Sequence, residues 1–435
     1  MSDSERQSFV DRLLSDRPEP AVEWIAARRD AAAARAGTLS MPTRKHEEWR
    51  FFSLRAIAGT AWERPSGFET DPYLVEDFAP EMNTAASLVF VNGRYAPDLS
   101  DPVADGALYA GSLSGLDDEE QGVVSDTLGS CVAHYEDDVF TQLATANFED
   151  AACVVVAPDT ALDRPIELVF VTDATGPEAS FPRAVVVAGR GSKFTLLERY
   201  VGAGEQGYFV SPVTEVHVAD SANVDHVRIQ QDAPTARHVA RLGVRLAAHA
   251  QYDSISVTLG AASSRTDVYM VHEGVEGFGR IDGLALLRDR QESDTHSVID
   301  NTKPRCNSHQ LHKCVVDDRS HAVFNGKIFV RKGAQLIDAY QLNRNLLLSA
   351  GARVDTKPQL EIFADDVQCT HGATVGQLDD EQLFYLTSRG IEPDEARSIL
   401  TYGFAAEIVD MIPIDPVRKQ LEAEVLRLTR PSEAS

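Results

Sequence analysis

The sequence predicts a mainly β protein, with a parallel β-helix (solenoid) core flanked by N-terminal and C-terminal helical regions. Three observations carry that prediction. Short β-type runs recur from about residue 87 to 377, with almost no helical periodicity after residue 150. Small-residue pairs stand between them at intervals near 20 residues, as the corners of stacked coils would. Helix caps, first-turn prolines and stop glycines concentrate at the two ends.

Residues 1–85 read as a helical region and a linker. Residues 20–35 carry Trp24, Ile25 and many alanines, with Gly37 as a stop just beyond. A second short helix runs from Glu47-Glu48-Trp49 to Ile57, and residues 60–85, rich in Pro, Asp and Glu, read as irregular. The core spans residues 86–377. Its β-type runs fall at 88–91, 154–156, 166–171, 184–187, 194–197, 224–229 and 255–259, then at 324–330, 336–340, 346–348 and 360–363. Gly333-Ala334, Gly351-Ala352 and Gly372-Ala373 are 18 and 21 residues apart, and Gly260-Ala261, Gly191-Ser192 and Ser221-Ala222 are earlier corner candidates. A β-sandwich also gives many short strands, but would close within about 100 residues. Residues 378–435 turn helical again. Asp379 can cap a helix through Leu383 and Leu386 that stops at Gly390. Pro393 opens a second helix through Ile399, Leu400 and Phe404, and Asp415-Pro416 opens a third. The remaining apolar face of these helices is a candidate docking surface.

Composition narrows the class. The 435 residues, 43% of them hydrophobic, suit a soluble globular chain, and no apolar run is long enough to cross a membrane. The polar start lacks the layout of a signal peptide, so a cytoplasmic location is expected. Five scattered cysteines with no CxxC pair exclude a disulfide framework and a ferredoxin-like cluster site. A formal charge of −26 argues against nucleic acid as a partner. Only eight lysines stand against thirty-three arginines, so an acidic, lysine-poor surface of halophilic type stands beside ordinary acidic composition. On the halophilic reading the melting temperature rises markedly between roughly 0.1 M and molar KCl, as like-charge repulsion is screened. A flat profile across that range leaves the charge as plain composition.

Cys369 and His371 are the residues with most chemistry to offer. At i and i+2 of a strand they share a face, with Cα atoms roughly 6.6 Å apart. Thiolate and imidazole suit iron or zinc, but two ligands complete no tetrahedral site, so a partner must supply the rest. The plain alternative is a buried cysteine beside a hydrogen-bonded histidine. A second group, Cys306, His309, His312 and Cys314, has four N/S ligands within nine residues, yet a strand splits them between two faces. Solenoid packing is the better reading there. No G-x4-G-K-[ST] loop exists, so the chain should not hydrolyse ATP. Gly274, Gly277, Gly279 and Gly283 read as turn glycines, and no G-x-S-x-G elbow is present.

Several motifs resemble one family over nearly the whole chain. They are Pro42-Thr43-Arg44-Lys45-His46-Glu47-Glu48-Trp49, His309-Gln310-Leu311, Val323-Phe324-Asn325-Gly326-Lys327-Ile328, and Cys369-Thr370-His371-Gly372-Ala373-Thr374-Val375-Gly376. The residues 380–386 and 388–391 that follow fit as well. The chain resembles the SufD branch of the SufB/SufD family, from the Suf (SufBCD) iron–sulfur cluster assembly scaffold. The resemblance implies a right-handed parallel β-helix and a non-catalytic scaffold subunit. It implies pairing with SufB through the β-helices and binding of the SufC ATPase through the C-terminal helices, with Leu383, Phe384, Leu400 and Phe404 as the docking face. It places Cys369 and His371 at the SufB interface, where a nascent cluster forms transiently, with no cofactor held firmly by this chain alone. SufB carries His-Glu where this chain has His371-Gly372, so the matching carboxylate is absent. The family has been linked to reduced flavin, but no flavin motif is present. Two alternatives stand beside this reading, a β-helix enzyme acting on acidic polysaccharide and a self-pairing homodimer of the same fold.

Overall fold

The structure is a computed structural model that describes residues 3–67, 75, 82–203 and 207–429. Half of the acidic, proline-rich stretch expected to be an irregular linker, residues 68–74 and 76–81, lies outside the described residues. From Val213 onward strands alternate between two sheets, and each pairs in parallel with the strand one coil away. The result is a parallel β-solenoid of about 7 turns with helices at both ends. No helix among the described residues is long and apolar enough to cross a membrane.

Register gives the true coil length. Asn223 pairs with Gln251, Gln251 with Phe278, Phe278 with Asn307, and Asn307 with Asp338, steps of 28, 27, 29 and 31 residues. The coil therefore holds two strands and two corners, and the expected repeat near 20 residues is corrected. Gly333-Ala334 and Gly351-Ala352 mark two successive corners, one at each end of the strand Ile337–Leu347. Gly372-Ala373 is no corner, because it lies inside the strand Val367–Gly376.

One row of corners explains why glycine misled the spacing. Gly191, Ser221, His249, Glu276, Arg305 and Leu336 all take φ between 58° and 67°. For an L-residue that conformation costs roughly 1–2 kcal/mol. Each of these corners donates its backbone N–H to a carbonyl one coil further on, Ser221 to Ala248 at 2.9 Å and Arg305 to Gln335 at 2.9 Å, for example. The stacked hydrogen bonds offset the cost of left-handed backbone, so most corners of this row need no glycine.

The solenoid interior is mainly aliphatic in its first coils, with Leu88, Leu168, Val186, Leu196, Val216 and Leu242 buried together around one charged cluster of Glu198, His226 and Arg228. Further along it turns polar, with Ser308, Gln310, Gln341 and Asn343 almost wholly buried. Both outer faces are covered by the chain's own ends. The helices Pro393–Val409 and Asp415–Thr429 lay Ile408, Val409, Val417, Leu421 and Val425 on Val227, Ile229, Val257 and Leu286 of one sheet. The N-terminal helices and Trp49, Phe52 and Trp62 form an aromatic cluster with Phe140 and Phe209 against the other. Two helices inside the expected β region, Asp118–Thr127 and Val139–Asn147, belong to this cover and were not foreseen. The first is held by a capping box between Asp117 and Glu120. At the C-terminal end the expected punctuation holds. Asp379 caps Asp380–Thr387, Gly390 follows it at φ 89°, and Pro393 opens the next helix.

Candidate functional site

The solenoid ends on two strands, Arg353–Ile362 and Val367–Gly376, that among the described residues each have a neighbour on one side only. Their residues are half-buried or exposed, whereas the strands one coil inward are mostly buried. This end is therefore an open pairing edge. In Ile337–Leu347 burial alternates strictly from Ile337 through Asn343, which puts Ile337, Ala339, Gln341 and Asn343 on the inner face. Ala339 is in register with Cys369 and Gln341 with His371. The structure thus brings Cys369 and His371 together on the inner face of the terminal strand. Cys369 is half-buried against the main core, and burial pushes its thiol up, as does the Asp338 carboxylate. The thiol is therefore protonated in the chain alone, and binding a metal must displace that proton. His371 is exposed. Gly372 points to the outer face, where a Cβ would sit 3.3 Å from Leu342 Cδ1.

The second cysteine–histidine group does not converge. Cys306 is buried just ahead of the strand, with Sγ 3.4 Å from the Gly274 carbonyl oxygen. His309 lies edge-on to Phe278 at 5.6 Å. His312 packs at 4.7 Å from Phe324, and burial holds its imidazole down at about 3. Burial lifts Cys314 to about 12. No cluster of three or more His, Cys, Asp or Glu side chains placed to hold a metal ion occurs among the described residues. Gly274 lies in the turn before Phe278–Leu287, whereas Gly279 and Gly283 lie in that strand, where a Cβ would run into Met270 and His312.

The four residues expected on a helical docking face differ in what they touch. Phe384 is 73% exposed and its neighbour Tyr385 55%, while Leu383, Leu400 and Phe404 are half-buried. Phe404 is tied to the solenoid. Lys313 Nζ donates to its carbonyl oxygen at 2.7 Å and sits 4.4 Å from its ring centroid.

The N-terminal Glu47-Glu48-Trp49 forms a clamp across the outer face of the other sheet. Glu48 accepts from Asn325 Nδ2 at 2.9 Å, contacts His296 Nδ1 at 3.2 Å and lies 3.6 Å from Lys327 Nζ. Arg265 donates to the Glu48 carbonyl oxygen at 2.7 Å and stacks 3.8 Å over the Trp49 ring. Arg265 in turn holds Asp267 and Asp294, and Lys357 reaches Glu47. One short turn so fastens four successive coils. The hydrogen bond from His296 holds Glu48 down at about 2, and burial opposes it only in part. Burial pushes His296 down, but its carboxylate neighbours more than reverse this and raise it above 6.5. The Glu48 contribution is present above 4.5 and lost as pH falls toward 2, and that of His296 is present below 6.5 and lost as pH rises through its raised value. The clamp is therefore expected to be tightest between 4.5 and 6.5. Limited proteolysis at the N-terminus should be slowest in that window, and a Glu48→Gln chain should lose its acid limb, while Asp294 still holds His296. A wild-type cleavage rate that is flat in pH would count against the clamp.

The fold and its free end define a β-solenoid protein, covered by its own helices on both faces and left open at one end. The family model for the SufBD core domain of the SUF system for FeS cluster assembly matches residues 170–404, and that for the SufBD protein N-terminal region matches residues 17–168. The chain is 35% identical over 430 residues to an iron–sulfur cluster assembly SufBD family protein of Synechocystis, covering 96% of this chain and 94% of that one. It is 34% identical over 388 residues to the iron–sulfur cluster assembly protein SufD of Escherichia coli, with 88% of each covered. It is 32% identical over 409 residues to a chloroplastic protein of Arabidopsis thaliana, ABCI7, covering 91% and 84%. The chain belongs to the SufBD family of iron–sulfur cluster assembly proteins.

Proposed function

We propose that this chain is a non-catalytic scaffold subunit of a Suf-type complex. Its open end pairs with SufB, its C-terminal helices bind the SufC ATPase, and a nascent cluster forms transiently where the open end meets SufB. The observation that carries this reading is the terminal strand, which presents Cys369 and His371 on one face beside an unpaired edge. Backbone pairing can extend such an edge into a partner, and an incomplete ligand set demands one. The cluster is cargo, and this chain alone should hold little iron or sulfide. The test is anaerobic co-purification with SufB and SufC, followed by iron and sulfide analysis of the complex and of the chain by itself. Stable association and cluster in the complex only are expected. A chain that purifies alone from a mixture of all three would overturn the reading, and one that sediments as a dimer without partners favours self-pairing at the same edge.

Among the four docking residues, Phe384 gives the cleanest test because it touches little of its own chain. Phe384→Asp should release SufC in a pull-down with circular dichroism unchanged, since a carboxylate buried without a partner costs several kcal/mol, on the order of the contact itself. Phe404→Asp would also disturb the Lys313 anchor, so its effect mixes docking with folding. Undiminished SufC binding by the Phe384→Asp chain would move the docking face elsewhere.

A further inference from the structure

The polar interior near the open end has a direction. Gln310 Nε2 donates to Ser297 Oγ at 2.5 Å, and Gln341 Nε2 donates to Gln310 Oε1 at 2.7 Å. Gln310 and Gln341 are in register on neighbouring coils, and their side chains are 1% and 0% exposed. Each amide thus gives its N–H inward, away from the open end, which fixes the orientation of the next. The ladder stops at Gln341, whose Oε1 is buried and has no partner among the described residues. A buried carbonyl without a donor loses its hydration with nothing in return, so a donor within reach is strongly favoured. The residue in register on the next and last coil is His371, on the same inner face.

The opposite wall is arranged around this amide. A Cβ at Gly326 would lie 2.2 Å from Gln341 Nε2, so a larger residue there would push the amide out of its present place. The residue in register with Gly326 on the last coil is Pro358, which has no donor to offer. Two residues earlier, Thr356 carries a buried hydroxyl without a partner among the described residues and is a rival donor on the same face.

We propose that Gln341 is a positioning residue, whose side-chain carbonyl accepts the ring N–H of His371 and so aims the second imidazole nitrogen outward as a lone-pair donor. A neutral imidazole carries one donor and one acceptor nitrogen, so anchoring the donor inward settles which nitrogen is free. Histidines that bind metals commonly donate their other N–H to an oxygen, which orients the ring and raises its basicity. The ladder from Ser297 through Gln310 holds the Gln341 amide the right way round, and Gly326 gives it space. This inference rests on the proposed ligand role of His371 and adds the group that orients it.

The test uses the full chain with 15N-labelled histidine at about pH 8, above the ordinary imidazole value near 6.5. His371 is assigned by the signals lost in His371→Asn. In the wild type one nitrogen should be protonated, in a single tautomer. Gln341→Met has the same length and no carbonyl, and its His371 signals should move to the averaged tautomers of a free imidazole. Gln341→Glu keeps an acceptor and should restore the single tautomer. If the methionine variant does not fold, Gln341→Ser, too short to reach, gives the same comparison. In the assembled complex, Gln341→Met should lower cluster occupancy about tenfold or more, with Gln341→Glu nearer the wild type. Unchanged His371 signals in Gln341→Met overturn the proposal, as does loss of the single tautomer in Thr356→Val alone. Should a His371→Ala complex still fill with cluster, the ligand role falls, while the tautomer in the isolated chain still decides what Gln341 does.

Discussion

Replacing His371 by alanine is expected to empty the complex of cluster without taking the complex apart. The imidazole is exposed on the last strand, and removing it leaves the backbone edge of Val367–Gly376 free to pair as before. If His371 is a ligand as proposed, iron and sulfide in the reconstituted complex should fall to background, a drop of at least ~10–100-fold given what weaker outer-shell changes do to metal sites. Cys369→Ser separates the roles of the pair. Its thiol is half-buried and pushed up by burial, so it ligates only if metal binding removes the proton. An effect as severe as that of His371→Ala makes it a ligand, and a mild one makes it a helper. Full cluster content in the His371→Ala complex would defeat the site. Dissociation of the complex would mean instead that the ring serves the interface.

What could be read from the sequence followed the chemistry of the solenoid interior. Ala152–Val156, Ile166–Asp173 and Arg183–Ala188 are legible as strands because aliphatic residues fill them. Glu292–Asn301 and Asn307–Val316 are not, because their inner faces carry Ser297, Ser308 and Gln310, which look like loop residues until the neighbouring coil satisfies them. The coil length was hidden for a related reason. His249, Glu276, Arg305 and Leu336 hold a left-handed corner through hydrogen bonds between coils, and no local signal marks that. The helix ends near Asp379, Gly390 and Pro393 were legible because caps act within a few residues. The pairing of Cys369 with His371 needed only the two-residue period of a strand. The clamp was out of reach, since Glu48 meets Arg265 across 217 positions and Glu47 meets Lys357 across 310.

One fully buried carboxylate in the solenoid should show a large single-residue effect on stability. Glu198 is 0% exposed and accepts from Thr214 Oγ1 at 2.8 Å and from His226 Nε2 at 2.9 Å, with Arg228 at 3.4 Å and the Tyr200 hydroxyl completing its shell. Burial drives its carboxyl up, but Arg228 and the hydrogen bonds outweigh this and hold it well below the ordinary range. His226 is lowered by burial against the pull of Glu198, so it sits neutral, its Nε2–H on the carboxylate and its Nδ1 2.8 Å from the Tyr252 hydroxyl. Glu198→Ala leaves the buried Arg228 guanidinium beside the Tyr200 ring without its carboxylate and should cost ~3–5 kcal/mol, the usual penalty for breaking a buried pair from one side. A double change, Glu198→Leu with Arg228→Met, should recover much of that loss, because removing both charges also removes the need to bury either. The sign with pH follows from the depressed values. The Glu198 contribution is full above 4.5 and goes only at far lower pH, whereas neutral His226 begins to cost stability once pH drops below 6.5 and the unfolded chain binds the proton more readily. Urea midpoints for wild type, single and double variants at pH 7 and pH 5 read all of this. A Glu198→Ala midpoint near the wild type, or a double variant no better than the single, would mean that water or relaxed side chains already solvate Arg228, and that the interior here is wetter than its packing shows.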